Sequence, residues 1–213
     1  MTDIILRGRA NSANVQKALW ALEEVGAAYD RRDAGGKFGG LDTPEFTAMN
    51  PNRLVPVLQH NDLTLWESHA IVRYVAAQLG RASLWREDTA ERAIVDQWTD
   101  WTVSTFQPAW IGVFSHVVRT APERRDAQAI AAAMARTTDA LAIMEAQLEK
   151  TPYLAGETFS YADIVAGVSL YRWTTMEIDR PDMPAVAAWH ARLAERPAFE
   201  KVVCVSYEDL RAR

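Results

Sequence analysis

The sequence predicts an α/β half followed by an all-helical half, and three observations carry that prediction. Over residues 1–80, short apolar runs alternate with stretches of three- and four-residue periodicity, the marks of strand and helix in turn. From Asp88 onward strand signals nearly vanish, and helical periodicity dominates to residue 213. Between the two, Arg81 to Glu87 carries neither pattern and reads as a linker.

Each element has a local reason. Ile4-Ile5-Leu6 is a short apolar strand. Val15, Ala18, Leu19, Leu22 and Val25 then fall on one helical face, with Ser12 placed to cap the start and Gly26 where a helix C-terminal glycine belongs. Tyr29 to Arg32 is a weak second strand, and Gly35 to Gly40 a glycine-rich loop. Thr43-Pro44-Glu45 opens a short helical turn that closes before Asn50-Pro51. Val55 to Leu58 and Leu63 to Trp66 are strands joined by Asn61-Asp62, residues suited to a hairpin turn. Ser68 caps a third helix that Gly80 ends. The order β-α-β, then β-β-α, is the thioredoxin-like arrangement.

The second half begins with a tryptophan-rich helix from Asp88 to about Val118, bent at Pro108. Pro122 to Glu149 reads as an alanine-rich helix with Ile130, Met134, Leu141, Met144 and Leu148 on its apolar side. Ser160 to Asp163 has the form of a capping box, flanked by Phe159 and Ile164 at the spacing of a hydrophobic staple. Two more helices are predicted, near Met183 to Ala194 and Ala198 to Tyr207.

Composition excludes several classes of function. A net charge of -5 and only short basic spots, Arg31-Arg32 and Arg124-Arg125, argue against nucleic acid as a partner. No apolar run approaches the roughly 18 residues of a membrane span, and the start lacks the charged-then-apolar pattern of a signal segment. The single cysteine, Cys204, forms no internal disulfide and suits a reducing cytoplasm. His60, His69, His116 and His190 show no metal-ligand spacing.

One constellation points to chemistry. Pro56 sits inside an apolar strand pattern and cannot donate to a sheet ladder, so it marks an edge, a bulge or a cis turn. Glu67-Ser68 then opens a helix, placing a carboxylate and a hydroxyl at an N-terminus near an unpaired backbone edge. That arrangement suits a short extended peptide with a free carboxylate and a free amine, and glutathione is such a peptide.

Over nearly its whole length the sequence resembles the glutathione transferases. The resemblance rests on an ordered set: Ser12-Ala13-Asn14, Asn50-Pro51, Leu54-Val55-Pro56, Glu67-Ser68, then Gly156 with the Ser160–Asp163 cap, and Ala194 to Phe199 near the end. From Ser12 to Tyr29 the spacing matches theta-like and nu-like members without a gap.

The resemblance implies a cytoplasmic homodimer that joins glutathione to a small hydrophobic electrophile. It implies a cis bond before Pro56, with the Val55 backbone pairing with glutathione as an added strand. Ser68 would bind the γ-glutamyl carboxylate, Glu67 its ammonium, and Lys37 or Arg53 the glycyl carboxylate. Theta-like members stabilise the thiolate with a serine at the position of Ser12. Nu-like members carry a threonine there and an asparagine two residues on, which matches Asn14. Ser12 is thus assigned as thiolate stabiliser and Asn14 as a second donor. Two alternatives stay open, in which Ser12 merely caps its helix or Asn11 takes the role. No tyrosine or cysteine stands at this site, so tyrosine-type and mixed-disulfide mechanisms do not apply. Asn11, Phe106 and Trp110 are expected against the acceptor, and Asp96 or Asp100 at a partner subunit's glutathione. Two rival activities remain at this level: glutathione-dependent disulfide reduction without a protein cysteine, and non-catalytic binding or scaffolding.

Overall fold

A computed structural model describes residues 4–80 and 84–212, so the first part of the expected linker, residues 81–83, lies outside the described residues. Strands β1 (Ile4–Arg7), β2 (Asp30–Arg32), β3 (Val57–His60) and β4 (Leu63–Trp66) form one sheet in the order β2-β1-β3-β4. β1 is parallel to β2 and antiparallel to β3, and β3 is antiparallel to β4. The parallel pair requires a crossover, which helix α1 (Ala13–Glu24) supplies.

Both faces of the sheet are covered. Val57 and Leu58 are adjacent in β3, point to opposite sides, and are both buried. Leu58 joins the main core with α1 and α3 (Ser68–Gln78), while Val57 packs with Phe46 of α2 (Pro44–Met49) and Ala34. Turn chemistry sets the boundaries: Gly26 ends α1 at φ 64, Thr43 Oγ1 accepts from Phe46 N, and Asn61 turns the hairpin at φ 54. β3 starts at Val57 rather than at Val55, because Pro56, after a cis Val55-Pro56 bond, offers no N–H to the ladder.

Two expected helices are interrupted in the second half. Helix α4 (Thr89–Trp101) runs into a π-helical turn, Thr102–Phe106, and then into α5 (Gln107–Val117). Pro108 explains the widening, since it lacks an N–H and its ring crowds the carbonyl four residues back, at Ser104. The alanine-rich segment divides into a 3-10 turn, Pro122–Arg124, and helix α6 (Ala127–Leu148), which Asp126 caps by accepting from Gln128 N and Ala129 N. Ala133, Thr137, Ala140, Leu141, Met144 and Leu148 form its buried face, with Ile130 and Met134 at the margin.

Helix α7 (Tyr161–Thr174) is buried along almost its whole length and forms the axis of the helical half. Its start is held by Asp163, whose carboxylate accepts from Leu154 N, Ser160 N, Ser160 Oγ and Trp189 Nε1. Burial pushes that carboxyl's pKa up, against the pull of these four donors. Helices α8 (Pro184–Ala194) and α9 (Pro197–Val202) follow. The last helix is shorter than expected, and a 3-10 turn at Glu208–Leu210 comes after it.

The halves share one core across α1 and α7. Trp20 of α1 is fully buried, 5.9 Å from the Phe159 ring and 5.0 Å from the Phe199 ring between centroids. Gly167 of α7 allows the approach, because a Cβ there would lie 3.0 Å from the Trp20 ring and 2.6 Å from Leu193. Arg196 adds a bidentate pair to Glu24 at 2.8 and 2.7 Å.

Candidate functional site

Sheet register brings three loops to one place. Arg7 at the end of β1 stands opposite Val57, and Val57 stands opposite Trp66 at the end of β4. The chain after Arg7, the chain before Val57 and the chain after Trp66 therefore emerge at the same end of the sheet. A cleft of about 340 Å³ opens there against the helical half. Asn11, Ser12, Asn14, Val55 and Trp110 all line it.

Ser12 precedes α1 in extended conformation, φ -83 and ψ 121, yet its hydroxyl makes no capping bond. Ser12 is the N-cap residue through its backbone alone, its carbonyl accepting from Gln16 N, and its hydroxyl is not engaged by the helix. No acidic side chain occupies the first turn of α1, so its N–H groups and the positive end of its dipole favour an anion. Asn14 Oδ1 accepts from Lys17 Nζ at 3.1 Å, which leaves the Asn14 amide NH2 as a donor.

Lys17 was not visible as a site residue in the sequence. It is fully buried, and its amine also meets His69 Nε2 at 3.0 Å and Gln107 Oε1. Burial lowers its pKa to about 7, with the Glu67 carboxylate pulling the other way. Burial and the neighbouring Lys17 hold His69 neutral, so its Nε2 can accept. A cation that titrates near neutrality thus sits under Asn14, tying α1 to α3 and α5.

Val55 lies outside the sheet register, and no backbone hydrogen bond among the described residues engages its N–H or C=O. At the same sheet end, Glu67 takes the left-handed φ 71 and ψ 113. For a non-glycine residue this costs on the order of 1–3 kcal/mol and marks positions held for function. Here the expectation of Ser68 as N-cap is corrected: Glu67 is the N-cap residue, and Ser68 is the first helical residue, 5% exposed. Pro56 is buried and Glu67 exposed.

Lys37 and Arg53 stand apart from the cleft lining. Lys37 is 68% exposed, on a 3-10 turn, with Nζ 3.9 Å from Asp209 Oδ2. Arg53 is exposed at φ 56.

On the acceptor side one expectation is corrected. Phe106 is fully buried, stacked on Trp101 at 6.0 Å, and does not line the cleft. Ile111 and Phe114 line it with Trp110, one helical turn of α5 supplying the wall. The spacing Trp110, Ile111, Phe114 was the available signal. Arg9, Arg119 and Arg172, also missed, line the same cleft. Asp96 and Asp100 both pair within the chain, to Arg73 of α3, and Asp96 also accepts from Tyr161 Oη. Cys204 is exposed and outside the cleft lining. Among the described residues no cluster of His, Cys, Asp and Glu could hold a metal ion, and no helix is long and apolar enough to cross a membrane.

Comparison with known proteins agrees with this geometry. Residues 4–77 match the family model "Glutathione S-transferase, N-terminal domain", and residues 106–197 match "Glutathione S-transferase, C-terminal domain". The chain is 41% identical over 204 residues to glutathione S-transferase GstB of Escherichia coli (strain K12), covering 95% of this chain and 98% of that one. It is 33% identical to the disulfide-bond oxidoreductase YfcG of the same strain, covering 89% of each. Among solved structures, a theta class glutathione S-transferase from Xanthomonas axonopodis pv. citri with glutathione bound is 48% identical with a TM-score of 0.93, covering 97% of this chain and 99% of that one.

Proposed function

The chain belongs to the glutathione S-transferase family and is a glutathione transferase; from that premise we propose how its own residues perform the transfer. Glutathione lies along the sheet end, its cysteinyl backbone paired with Val55 N–H and C=O as an added strand. Its γ-glutamyl carboxylate meets the start of α3 at Ser68, and its ammonium meets Glu67. Lys37 or Arg53 reaches the glycyl carboxylate from the exposed side.

The sulfur then points at Ser12. A free thiol has a pKa of about 8.5, so lowering it by two units takes roughly 2.7 kcal/mol. The Ser12 hydroxyl, the Asn14 amide and the open N-terminus of α1 together supply stabilisation of that order. The thiolate attacks an electrophilic carbon held against Trp110, Ile111 and Phe114. The S–C bond forms as the leaving group departs with the bonding electrons. Proximity of two held reactants contributes the rest.

The single observation that carries this reading is the Ser12 hydroxyl, free of any helix cap, at an open helix start in the cleft. Ultraviolet titration of bound glutathione tests it. A thiolate band with a midpoint well below about 8.5 is expected; an unshifted midpoint would leave only a binding or scaffold role.

A second reading has a specific basis. Asn14 offers a donor two residues after Ser12, and one relative is named a disulfide-bond oxidoreductase. Reduction of a small disulfide by glutathione that persists in Cys204→Ala would favour it, and no turnover of disulfides would remove it. We also propose a homodimer, through the faces of α3 and α4. The partly exposed Trp66, Ile94 and Val103 near these helices fit such an interface. A monomeric mass at micromolar concentration would refute it. Cys204, unpaired, suits a cytoplasmic setting.

A further inference from the structure

Although the chain is acidic overall, with a net charge of -5, the acceptor side of its cleft gathers cations. Arg172 of α7 is 1% exposed and still lines the cleft. Its Nη2 donates to Asn11 O at 2.9 Å and to Gln16 Oε1 at 2.8 Å, and its guanidinium lies 4.5 Å from the centre of the Tyr207 ring. Those contacts fix the group in place, yet its Nε and Nη1 have no protein partner. Arg9, half-buried against the Gly35–Gly36 backbone, also has an unpartnered Nε. Arg119 lies over Phe114, 5.2 Å from the ring centre.

Among the described residues no carboxylate forms an ion pair with any of the three. Asp209 draws on Arg9 while bound to Asn11 Nδ2 and facing Lys37, and the Tyr207 and Tyr171 phenols draw on Arg172. Burial is the main cause that lowers the pKa of Arg9 and of Arg172, and mutual repulsion adds to it: Arg119 depresses Arg9, and Arg119 and Arg9 depress Arg172. A buried guanidinium with unmet donors and no counter-charge is costly unless a ligand supplies one. Next to these donors stands the apolar wall of Trp110, Ile111 and Phe114.

We propose that the acceptor site takes an electrophile with an anionic group, a carboxylate or sulfonate on an aryl or short apolar body, received by Arg172, Arg9 and Arg119. This rests on the transferase reading above and narrows its substrate class. The planar fork of arginine suits a two-oxygen anion. An anionic electrophile approaching a thiolate is otherwise repelled, and the guanidiniums offset that repulsion. A carboxylate in this place could also be glutathione's own glycyl group, so the test separates the two.

The probes are 4-chloro-3-nitrobenzoate and its neutral amide, 4-chloro-3-nitrobenzamide. With either, an S–C(aryl) bond forms, the C–Cl bond breaks, chloride leaves with the electron pair, and the thiol proton passes to solvent. The benzoate is expected to be the better substrate. Arg119→Gln, at an exposed position with little risk to folding, and Arg9→Gln are expected to lower the benzoate-to-benzamide ratio of kcat/KM by about tenfold or more. An unchanged ratio overturns the proposal. So does a weakened glutathione Kd with an unchanged ratio, which would give the arginines to the glycyl carboxylate. If neither probe is turned over, the transferase reading fails separately. Tryptophan quenching then decides this proposal: benzoate binding that exceeds benzamide binding and is lost in Arg119→Gln supports it, and equal binding overturns it.

Discussion

The two walls of the cleft are built from different materials. The wall from the α/β half acts largely through backbone: the unpaired Val55 edge, the uncapped start of α1 and the start of α3. The wall from the helical half acts through side chains: Trp110, Ile111 and Phe114 of α5, Arg119 just beyond it, and Arg172 of α7. Backbone groups are the same whatever the residue, so the first wall keeps its hydrogen-bonding groups through extensive sequence change. Side chains are not, so one substitution alters the second wall. On the proposed function, the contrast separates a fixed thiol donor from an adjustable acceptor.

Four experiments break or sharpen that contrast. The largest effect is expected at the joint between the walls. Trp20→Ala empties a site packed by Phe159 and Phe199, and a loss of about 3–5 kcal/mol is expected in denaturant unfolding. A smaller loss would mean the walls are held together elsewhere. Ser12→Ala comes next, because it removes the hydroxyl proposed to stabilise the thiolate. Hydrogen bonds to charged groups contribute about 1.5–3 kcal/mol, so the pH midpoint of turnover should rise by roughly one to two units. An unshifted profile would pass the role to Asn14 or Asn11.

Lys17→Met probes the cation beneath both walls. The native pKa of Lys17, about 7, lies below its ordinary 10.5. Between those values the unfolded chain holds a proton that the native one has released, so stability rises with pH across that window and is lower below it. The variant should lack this contribution, and equal slopes of stability against pH in the two proteins would refute the assignment. The smallest effect is expected from Ser68→Ala, about 1 kcal/mol or a fivefold weaker glutathione Kd, since the backbone N–H groups of α3 remain. A loss far larger than this would show the first wall to depend on side chains as well.

Much of the first wall was legible in the sequence, for the same reason that it is robust. Pro56 and Glu67-Ser68 impose backbone geometry, and backbone geometry leaves local marks. The Ser160–Asp163 cap was legible likewise, because a buried helix start needs local partners. Lys17 and Arg172 were not. Both are charged residues within helical runs, and their burial comes from segments remote in sequence: α5 covers Lys17, and Asn11 and Gln16 meet Arg172. Phe106 was misplaced because an aromatic residue in a tryptophan-rich run suits a pocket wall as well as a core, and its burial against Trp101 in the wide turn leaves no local mark. At Ser68 the sequence offered a favoured capping residue, but the chain turned one residue earlier, through Glu67 in the left-handed region.

The π-helical turn at Thr102–Phe106 has a consequence for how such a protein diversifies. A wide turn holds one residue more than an ordinary one. The extra residue is absorbed by the widening, so the helix that follows keeps its facing. Deleting one codon there would restore the regular pitch and leave Trp110, Ile111 and Phe114 towards the cleft, whereas the same deletion in the regular turn of α5 just before Trp110 would rotate all that follows by about 100°. The wide turn is thus a slot where the chain can gain or lose a residue while the acceptor wall stays in service.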